Sequence, residues 1–426
     1  MSGIQDTSLH APLYSQPEQD GFDYPLRLLL YSHDSVGLGH LRRNLAIAGE
    51  ISATFPNAWI QILTGSPCDT QFKLPKNTDL IKIPSISKDS EGRYVTQNFS
   101  GSLENTLKFR SKLILEAFEL FKPNFIIIDH QLTGLMGEVL DMLRAAKKKG
   151  VQTIFGLRDI KDSPEAVKRN WNTDNSRWAL NECYDRICVY GMQEIFDPRA
   201  AYAPFLDKVK KIDFIGFIVP RLKKTSKSHL PGKRKKVLVT FGGGGDGAQR
   251  AERYLEALAL APVNWESHII TGPLMADDAR RRIRNKAKKI EPLGSVKIYR
   301  FHRHVSALLN QVDAVVSMAG YNSCAEILQS GVPAVLLPRS FPRKEQLIRA
   351  TRLAELGWVK VIPEADPDPH RLLSTVASVV NTPRNIQLEA DVNGLKRLGQ
   401  IIAEQLQTAG LVENVPQSAQ SISRAL

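Results

Sequence analysis

Short runs rich in Leu, Ile and Val alternate with helix-spaced stretches along almost the whole chain. The first series is PLRLLLYS (25–32), AWIQILTG (58–65), TDLIKIPS (78–85), NFIIIDH (124–130), VQTIFGLRD (151–159) and DRICVYG (185–191). The second, between 235 and 363, is KKVLVTFGG, NWESHIITG, SVKIYRF, DAVVSMAG, VPAVLLPR and GWVKVIP. Between the runs, stretches such as LRRNLAIAGEISATF and GSLENTLKFRSKLILEAFELF repeat apolar residues at three and four, the helical spacing. Strands that are apolar on both faces must be covered on both, and parallel sheets flanked by helices achieve this. The pattern predicts an α/β protein with two doubly wound, Rossmann-like parallel-sheet domains. At 426 residues the chain is long enough for two cores of ordinary size.

The expected division is a flexible leader (1–24), a first domain (25–220), a basic linker (221–236), a second domain (237–408) and a flexible tail (409–426). The leader, MSGIQDTSLHAPLYSQPEQDG, has neither a basic start nor an apolar core, so it does not read as a secretory signal. No apolar stretch approaches the roughly 20 residues that span a bilayer. Cys68, Cys183, Cys188 and Cys324 show no metal-like pairing and suit reduced thiols, so a cytoplasmic location is expected. Lys and Arg exceed Asp and Glu by 57 to 44, a net +13. The excess is concentrated in RLKKTSKSHLPGKRKK (221–236) and RRRIRNKAKK (280–289). Neither cluster interleaves aromatic residues, so no nucleic-acid partner is expected. The clusters read either as a solvated linker and helix face or as contacts to the anionic inner face of a membrane.

Three loops carry residues suited to chemistry. In YSHDSVGLGHLRRNLAIA (31–48), Gly37 and Gly39 permit close backbone approach at the start of a helix, beside His40. By itself this imidazole reads as a cap, a loop hydrogen-bonder or a proton carrier. In FGGGGDGAQR (241–250), Gly242 to Gly245 precede a helix and can turn main-chain N–H groups towards a phosphate. The bland alternative is a tight strand–helix turn capped by Asp246. The glycines satisfy a dinucleotide fingerprint, but the next strand ends HIITG without the ribose-binding acid, which disfavours a nicotinamide enzyme. A Walker lysine is missing, which disfavours an ATPase. In SMAGYNSCAEILQSGVPAVLLPRSFPRKEQLIRATRLAELG (317–357), a strand runs into Ala319-Gly320, and the next helix carries Glu326. A helix N-terminus suits a diphosphate, a carboxylate one turn on suits a ribose diol, and Gln346 suits hexose hydroxyls. Taken alone, Glu326 also reads as an ordinary helix-surface acid.

AGYNSCAEILQSGVPAVLLPR…EQ…RA resembles the donor-binding segment of GT-B glycosyltransferases, specifically the MurG-like group that uses UDP-N-acetylglucosamine. VGLGHLRRNLAIA is similar to that group's N-terminal glycine–histidine loop, and VTFGGGGDG to its interdomain glycine loop. The resemblance implies two Rossmann-like domains facing a cleft. It implies that Glu326 binds the donor ribose, and that Gln346, with Glu345, binds the sugar. Gly242, Gly243, Gly244, Ala319 and Gly320 would surround the diphosphate, with Phe301 beside the uracil. Leu38 stands where the group has glycine, and the final polar pair is Glu-Gln rather than Gln-Gln, which leaves the hexose open.

The resemblance also implies an inverting transfer, in which a base takes the proton of the acceptor hydroxyl. His40 is the first candidate for that base and His130 the second; Asp129 and His130 point to opposite sides if the strand is still extended there. The implied activity moves a sugar, an N-acetylhexosamine, from a UDP-sugar to a lipid-linked or envelope glycan acceptor. No cofactor and no metal are expected, because helix termini and loop N–H groups can offset the leaving charge. Asp366-Pro367-Asp368 has the spacing of a metal-binding acid pair but reads as a turn. A UDP-N-acetylglucosamine 2-epimerase and a non-catalytic sugar-nucleotide-binding subunit are the alternative functions.

Overall fold

The computed structural model describes residues 26–33, 39–66, 72–89, 93–220, 234–290, 292, 295–302, 305–366, 368–385 and 388–408. The leader, the tail, residues 221–233 of the basic linker, Gly37, Leu38 and Cys68 lie outside the described residues.

The first strand sets the plan. In β1 (Arg27–Ser32), Leu28 and Leu30 join a core with Leu41, Ile47 and Ile51 of the helix Gly39–Thr54. Leu29 and Tyr31 point the other way, into a second core with Ile114 and Phe118 of the helix Leu103–Phe121. Alternating side chains of one strand thus feed two helical layers. Each fully buried leucine contributes roughly 1.5–3 kcal/mol, so a sheet covered on one face only would forfeit about half of that gain.

The remaining strands are β2 (Trp59–Thr64), β3 (Thr78–Lys82), β4 (Ile86–Lys88), β5 (Tyr94–Thr96), β6 (Phe125–Asp129), β7 (Gln152–Arg158), β8 (Arg186–Tyr190) and β9 (Ile212–Phe214) in the first half. The second half has β10 (Lys235–Thr240), β11 (Trp265–Ile270), β12 (Ser295–Tyr299), β13 (Ala314–Ser317), β14 (Ala334–Leu336) and β15 (Lys360–Val361). One parallel sheet runs β3-β2-β1-β6-β7-β8-β9 and the other β12-β11-β10-β13-β14-β15. Every run expected as a strand contains one. The short hairpin β4–β5 and the edge strand β9 are additions, each of 3 residues and too short to leave a periodic signal.

Both sheets reverse their strand order at one place, between β1 and β6 in the first and between β10 and β13 in the second. A crevice opens beyond the strand ends at such a switch point. After β1 come His33 and then Gly39 and His40, which open the helix Gly39–Thr54, and after β6 comes His130; the loops after β10 and β13 carry Gly242 to Gly245 and Ala319-Gly320. The two crevices face each other.

Several connections join the halves. The segment Ile215–Val219 is buried, and the N–H of Ile218 donates to Tyr321 Oη at 2.8 Å. The helix Gly394–Thr408, expected within the second domain, packs back on the helix Gly39–Thr54 of the first, with Gly399 beside Thr54. Arg349 on the helix Glu345–Glu355 forms a two-pronged ion pair with Asp159 just after β7, both bonds at 2.6 Å and both groups fully buried.

Candidate active site

Asp129 is the last residue of β6 and is fully buried. At His130 the backbone turns to a φ of 67°, so the strand ends there and the two side chains part. Asp129 Oδ2 lies 2.5 Å from His40 Nδ1 and 2.6 Å from Arg43 Nη2, while Oδ1 accepts from Arg43 Nε at 3.0 Å. Arg43 Nη2 also sits 3.0 Å from His40 Nδ1. A carboxylate can only accept, so the close approach of Asp129 assigns the imidazole proton to Nδ1. His40 Nε2 is then an unprotonated acceptor, with no hydrogen bond among the described residues. The His40 side chain is 12% exposed and lines the interdomain cleft.

The electrostatics favour a neutral imidazole. Burial lowers the pKa of His40 below its ordinary value and outweighs the pull of Asp129 towards protonation. Burial also opposes ionisation of Asp129, but Arg43 and then His40 overcome it and hold the carboxyl below the usual range. The group beside His40 is therefore a fixed anion that orients a basic ring.

His130 sits differently. It is fully buried, is not among the residues lining the cleft, and its Nε2 lies 2.5 Å from Arg158 Nη2. A guanidinium is only a donor, so the Nε2 lone pair is already engaged. Its Nδ1 is buried without a partner among the described residues. His33 packs edge-on against His40, ring centres 4.7 Å apart.

The opposite wall is built from main chain. Gly242 and Gly244 have left-handed φ values of 62° and 88°. A Cβ on Gly244 would stand 2.0 Å from the carbonyl oxygen of Thr271, so only glycine fits. The Gly244 N–H donates to Phe241 O at 3.2 Å and closes the turn. Those of Gly242, Gly243 and Gly245 have no partner among the described residues. The following helix, Ala248–Leu258, is capped by Gly247 and not by Asp246.

Gly320 caps the helix Tyr321–Ser330 without any side-chain hydrogen bond, and Tyr321, Asn322 and Ser323 of its first turn line the cleft. A Cβ on Gly320 would meet nothing within 4 Å. An uncapped helix N-terminus open to a cleft favours an anion. The Ala319 carbonyl is held by Arg349 Nη1 at 2.7 Å, so the interdomain ion pair also shapes this loop.

Glu326 lies one turn into that helix and is buried, and its Oε1 accepts from Ser306 Oγ at 2.9 Å and from Arg42 Nη2. Its other oxygen has no partner among the described residues. Glu345 pairs with Arg339 at 2.7 Å and its Oε2 has no partner among the described residues; Gln346 Oε1 accepts from Arg339 N at 3.3 Å. Both line the cleft, as does Phe301, which is 37% exposed. The cleft is about 780 Å³.

The fold thus gathers Gly39, His40, Gly242, Gly243, Gly244, Phe301, Gly320, Glu326, Glu345 and Gln346 around one cleft. Ala319 is buried directly behind it. His130 is close to His40, with ring centres 5.7 Å apart, yet faces Arg158. Sequence reasoning missed the pairing of Asp129 with His40, and the roles of Arg42, Arg43, Arg158, Asn322 and Arg349. Asn322 Nδ2 donates to Gly39 O across the cleft at 3.0 Å. The basic LRR after His40 was the available signal for Arg42 and Arg43. Asp366 and Asp368 serve locally: Asp366 pairs with Arg371 and Asp368 caps the helix Pro369–Val380.

Residues 238–404 match the glycosyltransferase family 28 C-terminal domain. A Brucella canis protein named UDP-N-acetylglucosamine--N-acetylmuramyl-(pentapeptide) pyrophosphoryl-undecaprenol N-acetylglucosamine transferase is 29% identical over 158 residues, 36% of this chain and 40% of that protein. The protein of the same name from Helicobacter pylori is 24% identical over 139 residues, 32% of this chain and 39% of that one. The match spans about two-fifths of the length of these relatives. Among solved structures, Acinetobacter baumannii MurG superposes with a TM-score of 0.57 at 14% identity, covering 89% of this chain and 100% of that one. The calicheamicin glycosyltransferase CalG4 superposes at 0.60 with 14% identity, covering 90% and 98%. The chain therefore has the GT-B fold of these glycosyltransferases, and its second half matches the family 28 C-terminal domain.

Proposed function

We propose that the protein is an inverting glycosyltransferase that moves a sugar, an N-acetylhexosamine, from a UDP-sugar to a lipid-linked or envelope glycan acceptor. In this reading the acceptor hydroxyl attacks the anomeric carbon from the His40 side of the cleft. The new C–O bond forms as the bond to the β-phosphate breaks, and UDP leaves with the electron pair. His40 Nε2 takes the hydroxyl proton, and Asp129 stabilises the imidazolium that results. The unpartnered N–H groups of the glycine loop and the first turn of the helix Tyr321–Ser330 receive the charge on the leaving diphosphate. No divalent ion is invoked. Glu326 takes the ribose, Gln346 and Glu345 the hexose, and Phe301 the uracil.

The observation that carries the reading is the placement of an imidazole oriented by Asp129 opposite an uncapped helix N-terminus across one cleft. The names of the matched relatives, all transferases, favour transfer over 2-epimerisation or an idle subunit. No helix among the described residues is long and apolar enough to cross a membrane. We read the net charge of +13 as suited to peripheral binding at the anionic inner face of a membrane from the cytoplasm.

Calorimetric titration tests the donor site. UDP binds more tightly than 2′-deoxy-UDP, and Glu326→Ala weakens UDP by about ten-fold or more while erasing that preference. Equal affinity for the two nucleotides in the unaltered protein would reject Glu326 as the ribose ligand. Labelled UDP-sugars incubated with lipid extract give a glycosylated product, and a metal chelator leaves its rate unchanged.

A further inference from the structure

The base of the cleft beside His40 holds more positive charge than the transfer chemistry above uses. Arg158, at the end of β7, has no carboxylate within ion-pair distance among the described residues; its Nη2 meets His130 and its Nε is buried without a partner. Lys161, three residues on, is 7% exposed, and among the described residues its ammonium meets only the carbonyl of His130 at 2.9 Å and the side-chain oxygen of Gln131 at 3.0 Å. Arg343, on the second-domain loop before the helix Glu345–Glu355, lines the cleft and has no hydrogen bond or ion pair among the described residues.

Arg158 and Arg343 both act on Lys161. Burial, then Arg343 and Arg158, push the Lys161 ammonium down to about 7. Burial, then Arg43, push Arg158 down to about 9. Nearby acids pair with other groups: Asp129 with Arg43 and His40, Asp159 with Arg349, and Glu345 through one of its two oxygens with Arg339. Asp162 accepts from the main-chain N–H groups of Ser163 and Lys344. Glu345 and Asp129 partly offset Arg158 at a distance, and Asp162 and Asp129 partly offset Lys161, but none pairs with either. Lys161 is buried, and Arg158 and Arg343 are half-buried; cations withdrawn from water without a counterion are costly, and a cluster of them is a site for an anion.

We propose that Arg158 and Arg343, backed by Lys161, form a subsite for an anionic substituent, a carboxylate or phosphate, on one of the two sugars that meet at His40. This rests on the reading of the cleft as a sugar-nucleotide transfer site. The position is distinct from the diphosphate cradle, which main-chain N–H groups form. Glu345 acts on Arg158 and is expected to hold the hexose, so the anion sits next to the transferred unit: either the donor sugar is a hexuronate in place of the N-acetylhexosamine proposed above, or the acceptor is acidic.

Titration of the full-length protein with UDP, UDP-glucose and UDP-glucuronate decides between the sources. If the donor carries the anion, UDP-glucuronate binds at least about ten-fold tighter than UDP-glucose, and Arg343→Gln erases the difference while leaving UDP affinity within about two-fold. If the acceptor carries it, the two UDP-sugars bind alike, and free glucuronate or inorganic phosphate binds the UDP-saturated protein but not its Arg343→Gln variant. The subsite is rejected if neither pattern occurs, or if Arg343→Gln weakens UDP itself as much as any sugar nucleotide. Arg158→Gln provides the same comparison should Arg343→Gln misfold. Failure of UDP to bind at all would reject the donor-site reading instead, and phosphate titration of the free protein, with and without Arg343→Gln, then decides the anion subsite alone.

Discussion

His40 is useful only because of what stands behind it. Its proton is held on Nδ1 by Asp129, and burial keeps the ring neutral. His40→Ala is expected to lower kcat by about 10²- to 10⁴-fold with UDP affinity unchanged, as measured by steady-state kinetics and calorimetry. Asp129→Asn releases the ring and also strips Arg43 of its counterion, so it lowers kcat and destabilises the fold by about 3–5 kcal/mol in denaturant titrations. His33, His40 and His130 are all held below their ordinary value of 6.5 in the folded state, burial being the first cause in each. The unfolded chain therefore binds protons below about pH 6.5 that the folded chain refuses. Stability from these groups is complete above that pH and falls on acidification, by about 1.4 kcal/mol per pH unit for each imidazole. Lys161, about 7 when folded against 10.5 in free solution, extends the same trend upward: stability rises between those values. Thermal melts from pH 5 to 10 check both limbs. A melting temperature that rises on acidification would contradict the burial of these groups.

Among the loops, the glycines are not equivalent. Gly242 needs a left-handed φ but has open space around its Cβ position, whereas Gly244 needs the φ and also abuts Thr271. Gly242→Ala is expected to destabilise by about 1–2 kcal/mol from backbone strain alone. Gly244→Ala must displace the strand end carrying Thr271, so it is expected to reduce UDP affinity more than Gly242→Ala at equal loss of stability. Urea titration paired with calorimetry separates the two effects. These loops were legible as sequence because glycine runs after apolar strands have few other uses. Which of their N–H groups stay free was not: Gly244 spends its own on Phe241, a matter of turn geometry.

For the whole molecule, the joint between halves is the decisive element. Asp159 and Arg349 are 190 residues apart, wholly buried, and tie β7 to the loop at Ala319. Asp159→Asn leaves a buried guanidinium without its anion and is expected to destabilise by about 3–5 kcal/mol. Replacing both, Asp159→Leu with Arg349→Met, is expected to recover most of that stability, because the desolvation cost disappears with the charges. UDP affinity stays low in the double variant, since nothing then holds the Ala319 carbonyl. Chemical denaturation and UDP titration of the three proteins test this, and equal stability of Asp159→Asn and the parent would refute it.

Local pattern determined the two α/β sheets, their strands, the glycine loops and the candidacy of His40, Glu326 and Gln346, because periodicity and turn chemistry act over a few residues. Tertiary structure alone decided that Asp129 serves His40 across 89 positions, that His130 turns to Arg158, and that Arg42 meets Glu326 across 284. It also decided that the last helix returns to the first domain. Those pairings arise where two switch-point crevices are brought face to face, and the charges that meet there lie too far apart in the chain for any local pattern to link them.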